Sequence, residues 1–91
     1  MNYEIRYHPF VVRDDIPALD SAWRGRIRSA IEQKLTTHPD LFGIPLRRSL
    51  KGHRKLRVGD YRIVFRIQQR HVIILAILDR SVIYQRADAR H

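Results

Sequence analysis

The sequence has 91 residues, 44% of them hydrophobic and 30% charged, a globular composition at a length that suits one domain over residues 1–91 and leaves no room for a second core. Eighteen Lys/Arg against nine Asp/Glu give +9 at pH 7, and the lack of cysteine removes disulfides, thiolate metal sites and cysteine nucleophiles, which fits the reducing cytoplasm. The longest apolar run, Val72 to Leu78, is seven residues, against the roughly 20 that a membrane helix needs, and the first residues carry no apolar signal core, so neither export nor membrane insertion is expected.

Tyr3, Ile5 and Tyr7 alternate with Asn2, Glu4 and Arg6, the period-two pattern of a half-buried first strand that starts from Met1 and stops at His8-Pro9. A short helix is expected from Pro9 to about Asp15. Asp20 or Ser21 can cap a longer helix, in which Trp23, Ile27, Ala30, Ile31 and Leu35 recur on one face until His38-Pro39 ends it. Trp23 lies on that apolar stripe and so reads as core, not as a base-stacking platform. Residues 39–52 read as a loop punctuated by Gly43, Pro45 and Gly52. Beyond it, Leu56 and Val58 alternate with His53, Lys55 and Arg57; Gly59-Asp60 makes a two-residue turn; then Tyr61, Ile63, Phe65 and Ile67 alternate with Arg62, Val64, Arg66 and Gln68. This is a β-hairpin. Gln69-Arg70 offers a second turn, and Val72 to Leu78 is so uniformly apolar that it reads as a strand buried on both faces.

The charge is concentrated. Residues 1–46 carry six Lys/Arg and six Asp/Glu, residues 47–70 nine and one, and residues 71–91 three and two. Such a segment is costly through self-repulsion unless a polyanion or an acidic protein neutralises it, so it reads as a binding footprint. The hairpin turn sets Val58 opposite Tyr61, Leu56 opposite Ile63, Arg57 opposite Arg62 and His53 opposite Arg66. His53, Lys55, Arg57, Arg62 and Arg66 then share one face with no acid among them. Like charges directly across a sheet repel, and a phosphate backbone compensates them well because arginine clamps phosphate with a fork of donors.

Cutting RNA on such a face without a metal makes two demands: a group to take the 2′-hydroxyl proton, and cations to hold the charge that develops on the phosphate. His53 and Lys55 are the candidate bases, and Arg57 and Arg62 are placed to hold the phosphate. Taken alone, the charged face points to binding rather than chemistry. His8, His38, His53, His71 and His91 show none of the close spacings of metal motifs, and neither a Gly-rich phosphate loop nor a setting for Ser/His/Asp catalysis is recognisable, so no metal or cofactor is expected.

The stretch Leu50-Lys51-Gly52 followed by Lys55-Leu56-Arg57-Val58-Gly59-Asp60-Tyr61-Arg62-Ile63-Val64-Phe65 resembles the central signature of the RelE/ParE toxin superfamily. The opening strand with His8-Pro9, the helix from Arg24 to Leu35, the Pro39 to Gly43 loop and the closing Asp79-Arg80-Ser81-Val82-Ile83-Tyr84 resemble RelE-like members in order and spacing. The resemblance implies an α+β fold: an antiparallel-dominated sheet of about four strands, two N-terminal helices packed on one face, and a basic concave face opposite. RelE-type members cleave mRNA in the ribosomal A site through its 2′-hydroxyl, leaving a cyclic phosphate and using no metal. On that resemblance Lys55 matches a catalytic lysine, Arg62 a phosphate-stabilising arginine and Tyr84 a tyrosine that orients or stacks on the substrate; otherwise Tyr84 anchors the last strand. Arg57 and Arg80 match further basic positions, and Lys51, Arg54 and Arg66 join them as expected contacts to RNA phosphate. There are departures: His53 stands where some members have a second lysine, Leu78 near a catalytic arginine, and Asp79 in place of a common histidine, so no general acid is assigned.

Three functions follow as expectations. The first is the toxin of a type II toxin-antitoxin system, a ribosome-dependent mRNA endoribonuclease that inhibits translation. The second is a ParE-like inhibitor of DNA gyrase on the same fold, and the third an RNA-binding module without catalysis. Either toxin reading implies a cognate antitoxin whose disordered segment gains order as it covers the basic groove.

Overall fold

The Gly59-Asp60 reversal organises the sheet. It joins β3 (Arg54–Val58) to β4 (Tyr61–Gln68), with Val58 opposite Tyr61, Leu56 opposite Ile63 and Arg57 opposite Arg62, the register read from the sequence. Gly59 has φ +59°, and the Trp23 indole fills the space a Cβ would need, so both backbone conformation and packing call for glycine there. A second turn at Gln69, also in the left-handed region at φ +55°, leads to β5 (His71–Asp79), antiparallel to β4. The computed structural model describes residues 2–91; Met1, where the expected first strand starts, lies outside the described residues.

Two edge strands complete the sheet in the order β1-β5-β4-β3-β2. β1 (Glu4–Tyr7) lies parallel to β5, and β2 (Ile44–Pro45) antiparallel to β3. The sheet therefore has five strands, not about four. The extra one lies in residues 39–52, read from the sequence as loop, which hold α3 (Pro39–Phe42), β2 and a 3-10 turn at Arg48–Leu50. Pro39 suits the first position of a helix, where no N–H is needed, and Pro45 is tolerated because β2 is an edge.

The N-terminal helical layer comprises a π-helical turn Val11–Asp15 running into α1 (Ile16–Ala18), then α2 (Ser21–Ala30), which continues as a π-type turn Ile31–Leu35. Asp20 caps α2, its carboxylate accepting from the Trp23 N–H at 2.9 Å. This layer buries Val11, Leu19, Ile27, Ile31 and Leu35 against Leu56, Ile63, Phe65, Val72, Ile74 and Ile77. A second core forms on the opposite face, where α4 (Ile83–Arg90) places Ile83 and Ala87 over Val64, Leu75, Ala76 and Leu50. β5 is thus covered from both sides, as its unbroken apolar run requires. Tyr84 consequently sits in a helix and not in a last strand: Ile83 and Ala87, one turn apart, bury a helical stripe.

A β-bulge fixes how α4 docks. Val64 pairs with Ala76 but Phe65 pairs with Ile74, leaving Leu75 unpaired with β4. β1 ends opposite Ile74, so the outer edge of β5 beyond it has no strand to bond to. Asp15 and Arg90 take that place. The Asp15 carboxylate accepts from the Ile77 N–H at 2.9 Å and from both Arg90 guanidinium nitrogens at 2.7 and 2.8 Å, while Arg90 also donates to the Leu75 carbonyl at 3.1 Å. The two side chains are only 1% and 5% exposed. One buried, fully bonded pair therefore ties the first helical turn to the last helix through the bulge. No helix among the described residues is long and apolar enough to cross a membrane.

Candidate functional site

α4 covers β4 and β5 on the second face and leaves β3 and the edge strand open beside it. Register then sets which side chains meet there. Ile44, Lys55, Val64 and Ala76 form one row across the sheet, and Arg57, Arg62 and Leu78 the row next to it. Ile83 anchors α4 in the core, and the neighbouring Tyr84, 41% exposed, emerges at the rim. Its hydroxyl accepts a hydrogen bond from Lys55 Nζ at 2.8 Å, although the two residues are 29 apart in sequence. The ammonium is 5.4 Å from the ring centroid, nearly the hydrogen-bond length plus the ring-to-oxygen distance. It therefore sits close to the ring plane, and the faces of Tyr84 are not taken up by a cation–π contact.

Cations surround this pair. Arg57 and Arg62 lie directly across from each other on the same face, and Arg66 follows further along β4. Arg62 Nη1 donates to the carbonyls of Gly59 at 2.8 Å and Tyr61 at 2.9 Å, which holds its guanidinium at the hairpin end. Arg80 arrives at that same end, its backbone N–H bonded to the Asp60 carbonyl at 2.9 Å. Lys51 is exposed in the turn before β3. None of the ion pairs among the described residues involves Lys55, Arg57, Arg62 or Arg66. The repulsion stored across the hairpin is thus not relieved by a direct ion pair; Asp79, at the end of β5, is near enough for Arg80 and Arg62 to lower its pKa, but it is bonded to Ser81.

Two expected site residues are drawn elsewhere. Arg54 alternates with Lys55 and points to the opposite side, where its guanidinium donates to the carbonyls of Asp40 at 2.8 Å and Gly43 at 3.0 Å; it braces the α3–β2 segment. His53 lies just before β3, buried, with its ring 5.4 Å from that of His91. It is thereby under the far end of α4, two turns or about 10 Å along the helix from Tyr84. Burial chiefly, then His91 and Arg66, lowers the His53 pKa below its ordinary 6.5, and its Nδ1 is buried without a hydrogen-bond partner. Asp79, which replaces a histidine of the resembled pattern, caps its own turn: the Ser81 N–H and hydroxyl donate to it at 2.9 and 2.8 Å and push its pKa down. A carboxylate held in its anionic form is a poor proton donor.

Sequence reasoning missed α4, the Asp15–Arg90 pair, and the apolar residues Phe42 and Ile44 at the edge. The i, i+4 spacing of Ile83 and Ala87 was a legible signal for the helix; nothing in the sequence pairs Asp15 with Arg90. Among the described residues no group of three or more His, Cys, Asp or Glu is placed to hold a metal ion.

Comparison with known proteins gives a consistent result. Residues 6–84 match the family described as ParE toxin of type II toxin-antitoxin system, parDE. Toxin RelG of Mycobacterium tuberculosis is 43% identical over 54 residues, 57% of this chain; the match spans 62% of the length of that relative. A chain from the toxin-antitoxin complex RelBE2 of M. tuberculosis superposes with a TM-score of 0.80 at 29% identity, covering 88% of this chain and all of its own. Free E. coli toxin RelE, solved as a double mutant, superposes with a TM-score of 0.76 at 17% identity over 99% of this chain and 98% of its own, a likeness of fold. With the family signature spanning most of its length and the RelE-like sheet and helices in place, the chain belongs to the RelE/ParE family of type II toxins.

Proposed function

We infer that this toxin is a ribosome-dependent mRNA endoribonuclease. The observation that carries the reading is the hydrogen bond between Lys55 and Tyr84 at the edge of an unneutralised cationic face. Lys55 Nζ takes the 2′-hydroxyl proton; the 2′-oxygen attacks the adjacent phosphorus; the bond from phosphorus to the 5′-oxygen of the next nucleotide breaks, and that oxygen takes a proton from water. The products are a 2′,3′-cyclic phosphate and a 5′-hydroxyl. Arg62 and Arg57 hold the charge on the phosphate as it builds up, Arg66, Arg80 and Lys51 extend the track for the RNA strand, and the Tyr84 hydroxyl fixes Lys55 while its partly exposed ring receives a base. His53, buried two turns away, is not the base. The ribosome supplies the ordered mRNA and the cytoplasm the setting. An antitoxin partner fits the same picture, since RelBE2 was solved as a toxin-antitoxin complex and the exposed basic face suits an acidic, disordered segment.

Mapping of mRNA 5′ ends on translating ribosomes tests this. Wild type should cut within codons, Lys55→Ala should lower the rate about 10²–10⁴-fold, and Arg62→Ala about 10²–10³-fold, each with an unchanged circular dichroism spectrum. Intact mRNA beside an induced DNA-damage response and blocked supercoiling would replace this reading by gyrase inhibition, which the ParE description of the matched family favours.

A further inference from the structure

On the side of Lys55 away from Tyr84 lies a groove of about 370 Å³ lined by Lys34, Phe42, Ile44, Lys55, Arg57 and Arg62, together with Leu56. Its composition is unusual for an edge of a sheet. Four cations surround it with no carboxylate in the lining, and none of the four takes part in an ion pair among the described residues. In their midst sit two large apolar side chains, Phe42, 44% exposed, and Ile44, 61% exposed. Leaving both in water forfeits burial that the fold offers elsewhere, and an aromatic ring set among unpaired cations matches the two halves of a nucleotide, base and phosphate.

We propose that this groove is a nucleotide subsite, in which an RNA base stacks on Phe42 while its phosphate is held by Arg57 and Arg62 next to the Lys55–Tyr84 pair. The platform is built rigidly. Pro39 is buried and starts the single turn of α3, which carries Phe42 outward. Gly43 follows it where a Cβ would come within 2.5 Å of the Phe65 ring and 2.9 Å of Arg54 Cβ, so the segment lies flat on the sheet. Arg54 pins it from below through the Asp40 and Gly43 carbonyls. Lys34 Nζ lies over the Phe42 ring at 5.6 Å from its centroid and lines the same groove, a cation beside the stacking surface. Lys55 belongs to both flanks, so Phe42 and Tyr84 would seat bases on either side of one phosphate.

The proposal rests on RNA being the substrate, and the test separates the two. A short single-stranded oligoribonucleotide with 2′-O-methyl sugars, which cannot be cut, is titrated by fluorescence anisotropy. Phe42→Ala and Phe42→Leu should each bind about tenfold more weakly than wild type, whereas Phe42→Trp should bind as wild type does, with its indole emission quenched by the stacked base. Phe42 is partly exposed, so all three variants should keep the wild-type melting temperature. Undiminished affinity in Phe42→Ala and Phe42→Leu overturns the subsite, even if wild type cleaves mRNA. Tenfold loss in a protein that never cuts mRNA overturns the nuclease reading and leaves the subsite standing. Weakened binding of an acidic antitoxin segment with RNA affinity unchanged assigns the patch to a protein and overturns the proposal.

Discussion

The molecule handles charge in two opposite ways on the two sides of β5. At the bulge, Asp15 and Arg90 are out of water, bonded to each other at two points and to the strand's free N–H and carbonyl. Across the hairpin, Arg57 faces Arg62 with Lys55 and Arg66 beside them, exposed to different degrees and with none of them in an ion pair among the described residues. A buried pair is costly to assemble and more costly to break. An exposed cluster of one sign adds little to stability beyond the bonds of Arg62 to the hairpin carbonyls, and its repulsion suits a polyanion. The first kind of charge fixes where α4 lies and so where Tyr84 meets Lys55; the second awaits a partner. On the function proposed above, stability and function rest on different charges.

Breaking the pair should give the largest effect. Asp15→Ala or Arg90→Ala strands a buried charge and a strand edge, at a cost of about 3–5 kcal/mol, read as a lowered urea midpoint. Asp15→Leu with Arg90→Met removes both charges and should cost less than the sum of the single changes. Additivity of the two would mean that the pair is not acting as one unit.

Discharging the hairpin should do the reverse. Arg57→Gln or Arg66→Gln should change stability by no more than about 0.5 kcal/mol, with any shift toward greater stability because a like charge is removed. RNA binding should weaken, and the slope of log K against log salt should flatten by about 0.7 for each phosphate that is no longer neutralised. A destabilised Arg57→Gln would show that the face has a structural role after all.

Legibility in the sequence follows the same division. The hairpin register is fully legible because a two-residue turn between alternating strands is a local constraint, and so is the burial of β5 on both faces, because its apolar run is continuous. The parallel pairing of β1 with β5, the two-residue β2 and the bulge are not, since each depends on which distant segment supplies a free backbone edge. At the site, alternation alone places Lys55, Arg57, Arg62 and Arg66 on one face. Arg54 is misread when its neighbours' charge, and not its own parity in the strand, is followed. The meeting of Lys55 with Tyr84 is implied only by resemblance; it depends on α4, whose docking turns on a pair of residues at opposite ends of the chain.

His53 provides the finest test of the contrast, as a titratable group that sits under α4 but belongs to neither class of charge. Its imidazole is buried beside His91, with Arg66 nearby. Its pKa in the fold is lower than the 6.5 of the unfolded chain, so between those two values the unfolded state binds a proton that the native state refuses. Stability from this source is complete above pH 6.5 and is lost as the pH falls toward the folded-state value. Urea midpoints measured from pH 8 down to pH 5 should therefore fall on the acid side in wild type, and fall less in His53→Leu, which carries no proton to exclude. Equal acid sensitivity in the two proteins would mean that the imidazole is solvated, and that α4 does not close over the end of β3 as tightly as it closes over Val64 and Ala76.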